Sequence, residues 1–309
     1  MADIETNIFI DPEDLERQLN QLDDAMTVTH GSYQTLSPGL TTDLDWNHMD
    51  PNHRQYIHRT YGKSLRICTG ADFQISLTKY GDWPLLLPVA DVRLRPGLFY
   101  QCFSVFSLAT VIAVLRTAEH NGGAAQRIDW YIVSKRIWKF LHPWLNRKMA
   151  QLNRIQNAED EPIRNRRFGL RKLGFTFKSD RPDFLISSSL IPNLIPPHLQ
   201  HEHVISLLQT DGTERFKKFS VENLSFLYVY DQHVGVHIWP EACPHEGGPL
   251  EQSLIHPIDG CLKCPWHGLE IRSVHLTRDR PRGQCQGTTV RLESDTIVVS
   301  PSAKQNRPE

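Results

Sequence analysis

GLFYQCFSVFSLATVIAVL, residues 97–115, is the stretch whose reading separates a membrane protein from a sheet protein. It runs nineteen residues without a charge between Arg95 and Arg116, long enough for one membrane-spanning helix. It also carries Gln101, Ser104, Ser107 and Thr110 and is rich in aromatic and β-branched side chains. The run Thr110, Val111, Ile112 and Val114 suits a buried strand. Two adjacent strands are therefore expected, and a membrane span is not. Outward from it, DFQISLTK, VADVRL and RIDWYIVSK have the same strand texture, with a turn at Asn121-Gly122-Gly123 before the last. Ile137, Phe140, Leu141, Trp144, Leu145, Met149, Leu152 and Ile155 then recur at steps of three and four. That period predicts a long helix from Ile137 to about Asn165, bent or restarted at Pro143.

At 309 residues the chain exceeds a typical single domain. The proline-bearing segment IPNLIPPHLQ, near 191–200, reads as a linker between domains at 1–190 and 201–303. Leu15, Leu19 and Leu22 mark a short acidic helix near the start, and the last few residues are expected to be frayed. A formal net charge of −1 argues against an electrostatic nucleic-acid binder. Six scattered cysteines do not make a disulfide framework, and MADIETNIFIDPEDLERQL lacks the layout of a signal peptide. A reducing, cytoplasmic setting is expected. The basic segment from Arg164 to Lys178 reads as a solvated face over the domain junction, or as a dock for an acidic ferredoxin.

The chemistry concentrates near the C-terminus, in CPHEGGPLEQSLIHPIDGCLKCPWHG, 243–268. Cys243-x-His245 and Cys264-x2-His267 each offer one thiolate and one imidazole, with eighteen residues between the pairs. Such a set suits a structural zinc or a [2Fe–2S] cluster with two Cys on one iron and two His on the other. Zinc sites of this count usually pair Cys with Cys and His with His, which favours the cluster. Cys261 is read as a lone buried cysteine. A second constellation lies in DLDWNHMDPNH: Asp45-x2-His48-x4-His53. With one carboxylate from elsewhere, two such histidines make a three-ligand site for Fe(II) with open positions. Taken alone, the same residues also fit a polar helix surface, and Asp50 and His58 beside them are solvated or compete as ligands. Glu159-Asp160-Glu161 taken alone fits an ordinary charged helix face.

The loops of 243–268 resemble the Rieske family, and the absence of a second Cys in the first loop resembles its soluble ferredoxins and the Rieske non-haem iron oxygenases. The sheet and long helix resemble the helix-grip fold of START-type lipid binders, polyketide cyclases and the oxygenases' catalytic domain. The resemblance implies an α+β chain: an N-terminal helix-grip (START/SRPBCC-like) antiparallel sheet with a long C-terminal helix, then a small all-β Rieske domain. The usual domain order is swapped. It implies a [2Fe–2S] cluster on Cys243, His245, Cys264 and His267, and Fe(II) on His48, His53 and Asp160, with Asp45 bridging them for electron transfer. It further implies a ferredoxin or flavin reductase as electron donor and O2-dependent hydroxylation or demethylation of a small apolar or aromatic substrate. A homo-oligomer, a trimer, is implied by the same likeness. The rival expectation is a non-catalytic electron carrier or redox sensor whose helix-grip domain binds a hydrophobic ligand.

Overall fold

The computed structural model describes residues 12–19, 21–22, 25–58, 61–70, 72–80, 86–105, 108–181, 192–208, 216–253, 255–256 and 260–302. The expected frayed end and residues Phe106 and Ser107 lie outside them. Two units are distinguished, 1–165 with 182–189 and 166–181 with 190–309.

The first unit begins with α1 (Pro12–Leu19), β1 (Met26–Ser37), α2 (Thr41–Met49) and α3 (Pro51–Ile57). Six strands follow: β2 (Tyr61–Thr69), β3 (Phe73–Tyr80), β4 (Leu86–Arg95), β5 (Leu98–Val105), β6 (Ala109–His120) and β7 (Gly123–Lys135). The stretch 97–115 thus supplies β5 and most of β6, paired antiparallel with Phe103 opposite Val111. No helix among the described residues is long and apolar enough to cross a membrane. All seven strands join one antiparallel sheet in the order β1-β7-β6-β5-β4-β3-β2. Alternation sorts its side chains. Val114 and Tyr131 meet Leu15 and Leu19 of α1 on one face, while Ala113, Leu115, Gln126 and Ile128 line a cavity on the other.

A 3₁₀ segment, Arg136–Leu141, leads into α4 (His142–Lys172). Pro143 sits in the first turn of α4, where its missing N–H costs nothing, so the expected restart is met. Met149, Leu152, Asn153, Gln156, Asn157, Asp160 and Arg164 recur along one face and close the cavity over the sheet. On β7, Trp130 Nε1 donates to Asn146 Oδ1 of α4 at 2.7 Å. Opposite it on β1, a Cβ at Gly31 would sit 2.4 Å from both groups, so only glycine leaves room for that contact. This is a helix-grip arrangement, as the strands and the long helix predicted. One expectation fails in detail. Ile137, Phe140 and Trp144 are 73%, 68% and 38% exposed, because the 3₁₀ turn breaks the helical period before α4 begins.

The second unit consists of short strands: β8 (Thr176–Phe177), β9 (Leu194–Ile195), β10 (His203–Ser206), β11 (Lys217–Val221), β12 (Leu224–Asp231) and β13 (Gly235–Pro240). After these come β14 (Ile255–His256), β15 (Cys261–Lys263), β16 (Glu270–Arg272), β17 (Val274–Leu276), β18 (Arg282–Cys285), β19 (Thr288–Glu293) and β20 (Thr296–Pro301). Two four-stranded sheets, β10-β20-β19-β18 and β11-β12-β13-β17, enclose a core containing Phe226, Val236, Ile238, Val290 and Ile297. A third sheet, β14-β15-β16, leads into the second Cys/His loop. Residues 166–181 and 192–200 group with this unit, since Leu170, Phe175, Phe177, Leu194 and Leu199 share its core.

Candidate metal centres

In the first unit, α2 ends at Met49 and α3 starts at Pro51. Asp50 is extended (φ −98°, ψ 96°), as the residue before a proline tends to be. The break matters for the ligands. His48 belongs to α2, whereas His53 lies in the first turn of α3 and His58 just past its end, its N–H bonded to Arg54 O at 3.1 Å. Asp160 arrives from α4. One ligand atom each from His53, His58 and Asp160 lies within 4.8 Å of the others, the one such set among the described residues. Asp160 Oδ1 is 3.7 Å from His53 Nε2 and 3.3 Å from His58 Nε2, and it accepts no hydrogen bond although buried. Burial pushes the Asp160 carboxyl up, while His58, Arg164 and a hydrogen bond from Asn47 oppose that. His58 Nδ1 lies 3.0 Å from Glu159 Oε2, which turns Nε2 toward Asp160. Trp46 stacks on His53 with 6.0 Å between ring centroids.

The expected ligand His48 is elsewhere. Its Nε2 accepts from Gln126 Nε2 at 2.6 Å, and it lines the cavity without joining the three-residue cluster. Part of its ring faces the cavity, but protein surrounds it, and that burial, aided by Arg54, lowers its pKa to about 3. Asp45, expected as an electron-transfer bridge, accepts from Gly97 N at 2.8 Å and Thr117 Oγ1 at 3.0 Å, tying α2 to the sheet. The structure brings together His53 and Asp160 of the expected set, with His58 beside them in place of His48. The chain carries Asp-x2-His-x4-His twice, at 45/48/53 and at 50/53/58, and the second copy supplies both histidines. His58, read as solvated or competing, is buried at 5% exposure. The signal that identifies it is Asp50-Pro51: proline at a first helical position restarts the helix there.

The cavity has a volume of about 60 Å³, several times what one water needs. Its wall is mixed, with Phe103, Leu115, Ile128, Met149 and Leu152 beside Gln101, Gln126, Asn153 and Gln156. Arg54 is neutralised by Asp91 at 3.1 Å, and Gln74 and Gln101 also donate to that carboxylate at 2.9 and 2.7 Å.

In the second unit, Cys243, His245, Cys264 and His267 are all buried, at 0%, 4%, 1% and 7% exposure. The two imidazole centroids are 4.5 Å apart with their planes at 88°. The loops repeat one backbone pattern. Gly247 N bonds Cys243 O and Gly268 N bonds Cys264 O, both at 2.8 Å, while Cys243 N and Cys264 N bond the carbonyls of Gly248 and Leu269 at 2.9 and 2.8 Å. Both Gly247 (φ 81°) and Gly268 (φ 66°) are left-handed, a conformation that favours glycine. Proximity of the two sulfurs holds the Cys264 thiol well below its ordinary value, with help from His267, and pushes the Cys243 thiol up, as burial does too. Backbone N–H groups of His245 and Glu246 point to Cys243, and that of Trp266 to Cys264. A Cβ at Gly248 would lie 2.8 Å from Cys264 Sγ, so the cradle tolerates no side chain there.

The basic segment is not the solvated face that was expected. Arg166 donates to Gly247 O at 2.5 Å and to both oxygens of Glu241, at 3.0 and 2.9 Å. Arg167, fully buried, pairs with Glu246 at 2.5 Å and lies 3.7 Å over the Phe177 ring. Asn193 donates to the same Glu246 carboxylate at 2.9 and 2.8 Å. The counter-charges come from the first Cys/His loop and from Glu241 just after β13, far along the chain, so composition alone did not show them.

No protein-family model matches the chain, and no curated protein matches it. Among solved structures, the fold is similar to the di-domain ARO/CYC BexL from the BE-7585A biosynthetic pathway (TM-score 0.41, 7% identity, covering 48% of this chain and 53% of that one). It is likewise similar to the di-domain ARO/CYC StfQ from the steffimycin biosynthetic pathway (0.40, 8%, 50% and 55%). A third likeness is to norcoclaurine synthase from Thalictrum flavum (0.36, 10%, 44% and 96%). The match spans about half the length of each ARO/CYC protein. These findings correct the family expectation. None of these similar structures is a Rieske protein, and the chain is not assigned to the Rieske oxygenases, nor to the non-catalytic electron carriers set against them.

Proposed function

We propose that the first unit is a metal-dependent enzyme acting on a small organic molecule, with a ferrous ion held by His53, His58 and Asp160. We propose further that the second unit carries a [2Fe–2S] cluster on Cys243, His245, Cys264 and His267, reduced by a ferredoxin or flavin reductase. The observation that carries the first reading is the convergence of two imidazoles and a carboxylate within 4.8 Å at the wall of a cavity. That donor set, grouped on one side, fits an iron site with open positions. When bound there, the ion supplies Lewis acidity to a molecule in the cavity. The chain's own residues prepare the place. Glu159 fixes the orientation of His58, and Asn47 holds Asp160. His48, kept neutral, presents its ring to the same cavity without binding the ion.

For the second centre, one tetrahedral zinc would gather all its ligand atoms within about 4 Å of one another. The Cys/His set is not among the described groups of three within 4.8 Å, and two irons bridged by sulfide suit that wider spread. Iron and acid-labile sulfide analysis of anaerobically purified protein tests both proposals together. The expected result is one iron per chain beyond those matched by sulfide, lost in His53→Ala with the sulfide kept. Zinc without sulfide would overturn the cluster, and no metal beyond the sulfide-matched iron would overturn the mononuclear site.

A further inference from the structure

We infer that the cavity beside His53, His58 and Asp160 takes a small carboxylate, with Arg164 as its counter-ion. This deepens the reading of that cavity as the reaction site and rests on it. Two arginines line the cavity, and they differ. Arg54 has its carboxylate partner in Asp91 at 3.1 Å. Arg164 is 3% exposed, yet no carboxylate stands within the 4.0 Å of an ion pair among the described residues. Its hydrogen bonds go to neutral groups of its own helix, Asn157 O at 3.1 Å and Asn157 Oδ1 at 2.6 Å, and its buried Nε makes none. A guanidinium withdrawn from water without a counter-ion is unfavourable, and such cations are found paired.

Asp160, the acidic group that acts most strongly on Arg164, is one helical turn away on α4 and turns Oδ1 to the two histidines instead. Glu161, Tyr33 and buried Asp43 also act on Arg164 through space, but none pairs with it, so with Asp160 committed to an ion the guanidinium has no carboxylate among the described residues within ion-pair distance. Arg164 is then the group left to meet an anion, and a planar carboxylate matches its fork of donors. Asn153, whose Nδ2 donates to Met149 O at 3.0 Å, and Gln156 line the cavity on the same helix face, while Phe103, Leu115 and Ile128 add apolar side chains for the rest of the molecule. A single guanidinium suits a monoanion better than a phosphate dianion. The bland alternative is that Arg164 only stitches α4 beside Pro162, where the helix loses a backbone donor.

The test is binding of acetate, benzoate and 3-phenylpropanoate, each against its neutral amide and against inorganic phosphate, to the metal-loaded full chain by calorimetry. Wild type is expected to prefer at least one carboxylate over its amide by about tenfold or more, the worth of one charge-assisted hydrogen bond. R164Q is expected to lose that preference with its metal content unchanged, and R164K to keep part of it. The inference is overturned if no carboxylate binds, if amides or phosphate bind as well, or if R164Q keeps the preference. Should R164Q fail to fold, the wild-type and R164K comparisons decide. Metal content separates the two failures: a first unit without an ion sinks the metal reading, whereas an ion present without carboxylate preference sinks this inference.

Discussion

At His58 a single contact sets the direction of the donor: Glu159 takes Nδ1 at 3.0 Å, and Nε2 is left facing Asp160 Oδ1 at 3.3 Å. Carboxylates that orient a ligating histidine raise its basicity and fix its tautomer. Glu159→Gln should therefore weaken metal affinity by roughly 10–100-fold, read by chelator competition. An unchanged affinity would show that Glu159 is a bystander. His48 makes a different prediction, because its pKa of about 3 lies below the ordinary 6.5. The unfolded chain then takes up the proton first, so this contribution to stability is complete above pH 6.5 and is lost as pH falls toward 3. The slope is at most about 1.4 kcal/mol per pH unit. Denaturation of the metal-free protein should show a flatter acid limb in His48→Gln than in wild type, and parallel limbs would refute the assignment. Spacing alone does not choose between the histidines that the structure brings together and the one it does not. His53 is common to both Asp-x2-His-x4-His copies, and only the helix break at Asp50-Pro51 chooses between His48 and His58. Asp45 looked functional for the same reason, while its hydrogen bonds to Gly97 and Thr117 arise from chain folding that no local pattern encodes.

Among the elements, β3 to β7 and α4 were readable because their signals are local: β-branched and aromatic runs in the strands, and three- and four-residue steps in α4, whereas β1 and β2 were not read as strands. The start of α4 was less so, since apolar Ile137 and Phe140 kept the period while a 3₁₀ turn exposed them. The basic end of α4 was misread because its partners, Glu241 and Glu246, lie 75 and 79 residues away. Arg167 stands behind the first Cys/His loop as the buried cation of a hydrogen-bonded set with Glu246, Asn193 and Ser179. Arg167→Met should remove the cation from a buried carboxylate and cost about 3–5 kcal/mol of stability in denaturant unfolding. The double change Arg167→Met with Glu246→Met should recover part of that loss, because no buried charge is then left alone. A loss under about 1 kcal/mol for the single variant would mean that the pair is as weak as a surface one.

Across the whole molecule, two centres of different donor chemistry lie in separate units, one of imidazoles and a carboxylate, the other of thiolates and imidazoles. Cys243→Ser should therefore abolish sulfide-matched iron and leave the other ion in place, as followed by iron and sulfide content. The Cys/His loops were legible from their own spacing, and their repeated backbone pattern with left-handed Gly247 and Gly268 gives that spacing its physical basis. Family membership was not legible, because a motif of four ligands covers too little of the chain to carry the rest. The identity of the first centre turns on which histidine completes it. Metal content of wild type, His48→Ala and His58→Ala, all purified anaerobically, decides it. The structure predicts that His58→Ala loses the ion not matched by sulfide and that His48→Ala keeps it. Loss in His48→Ala with retention in His58→Ala, or no such ion in the wild type, would contradict it.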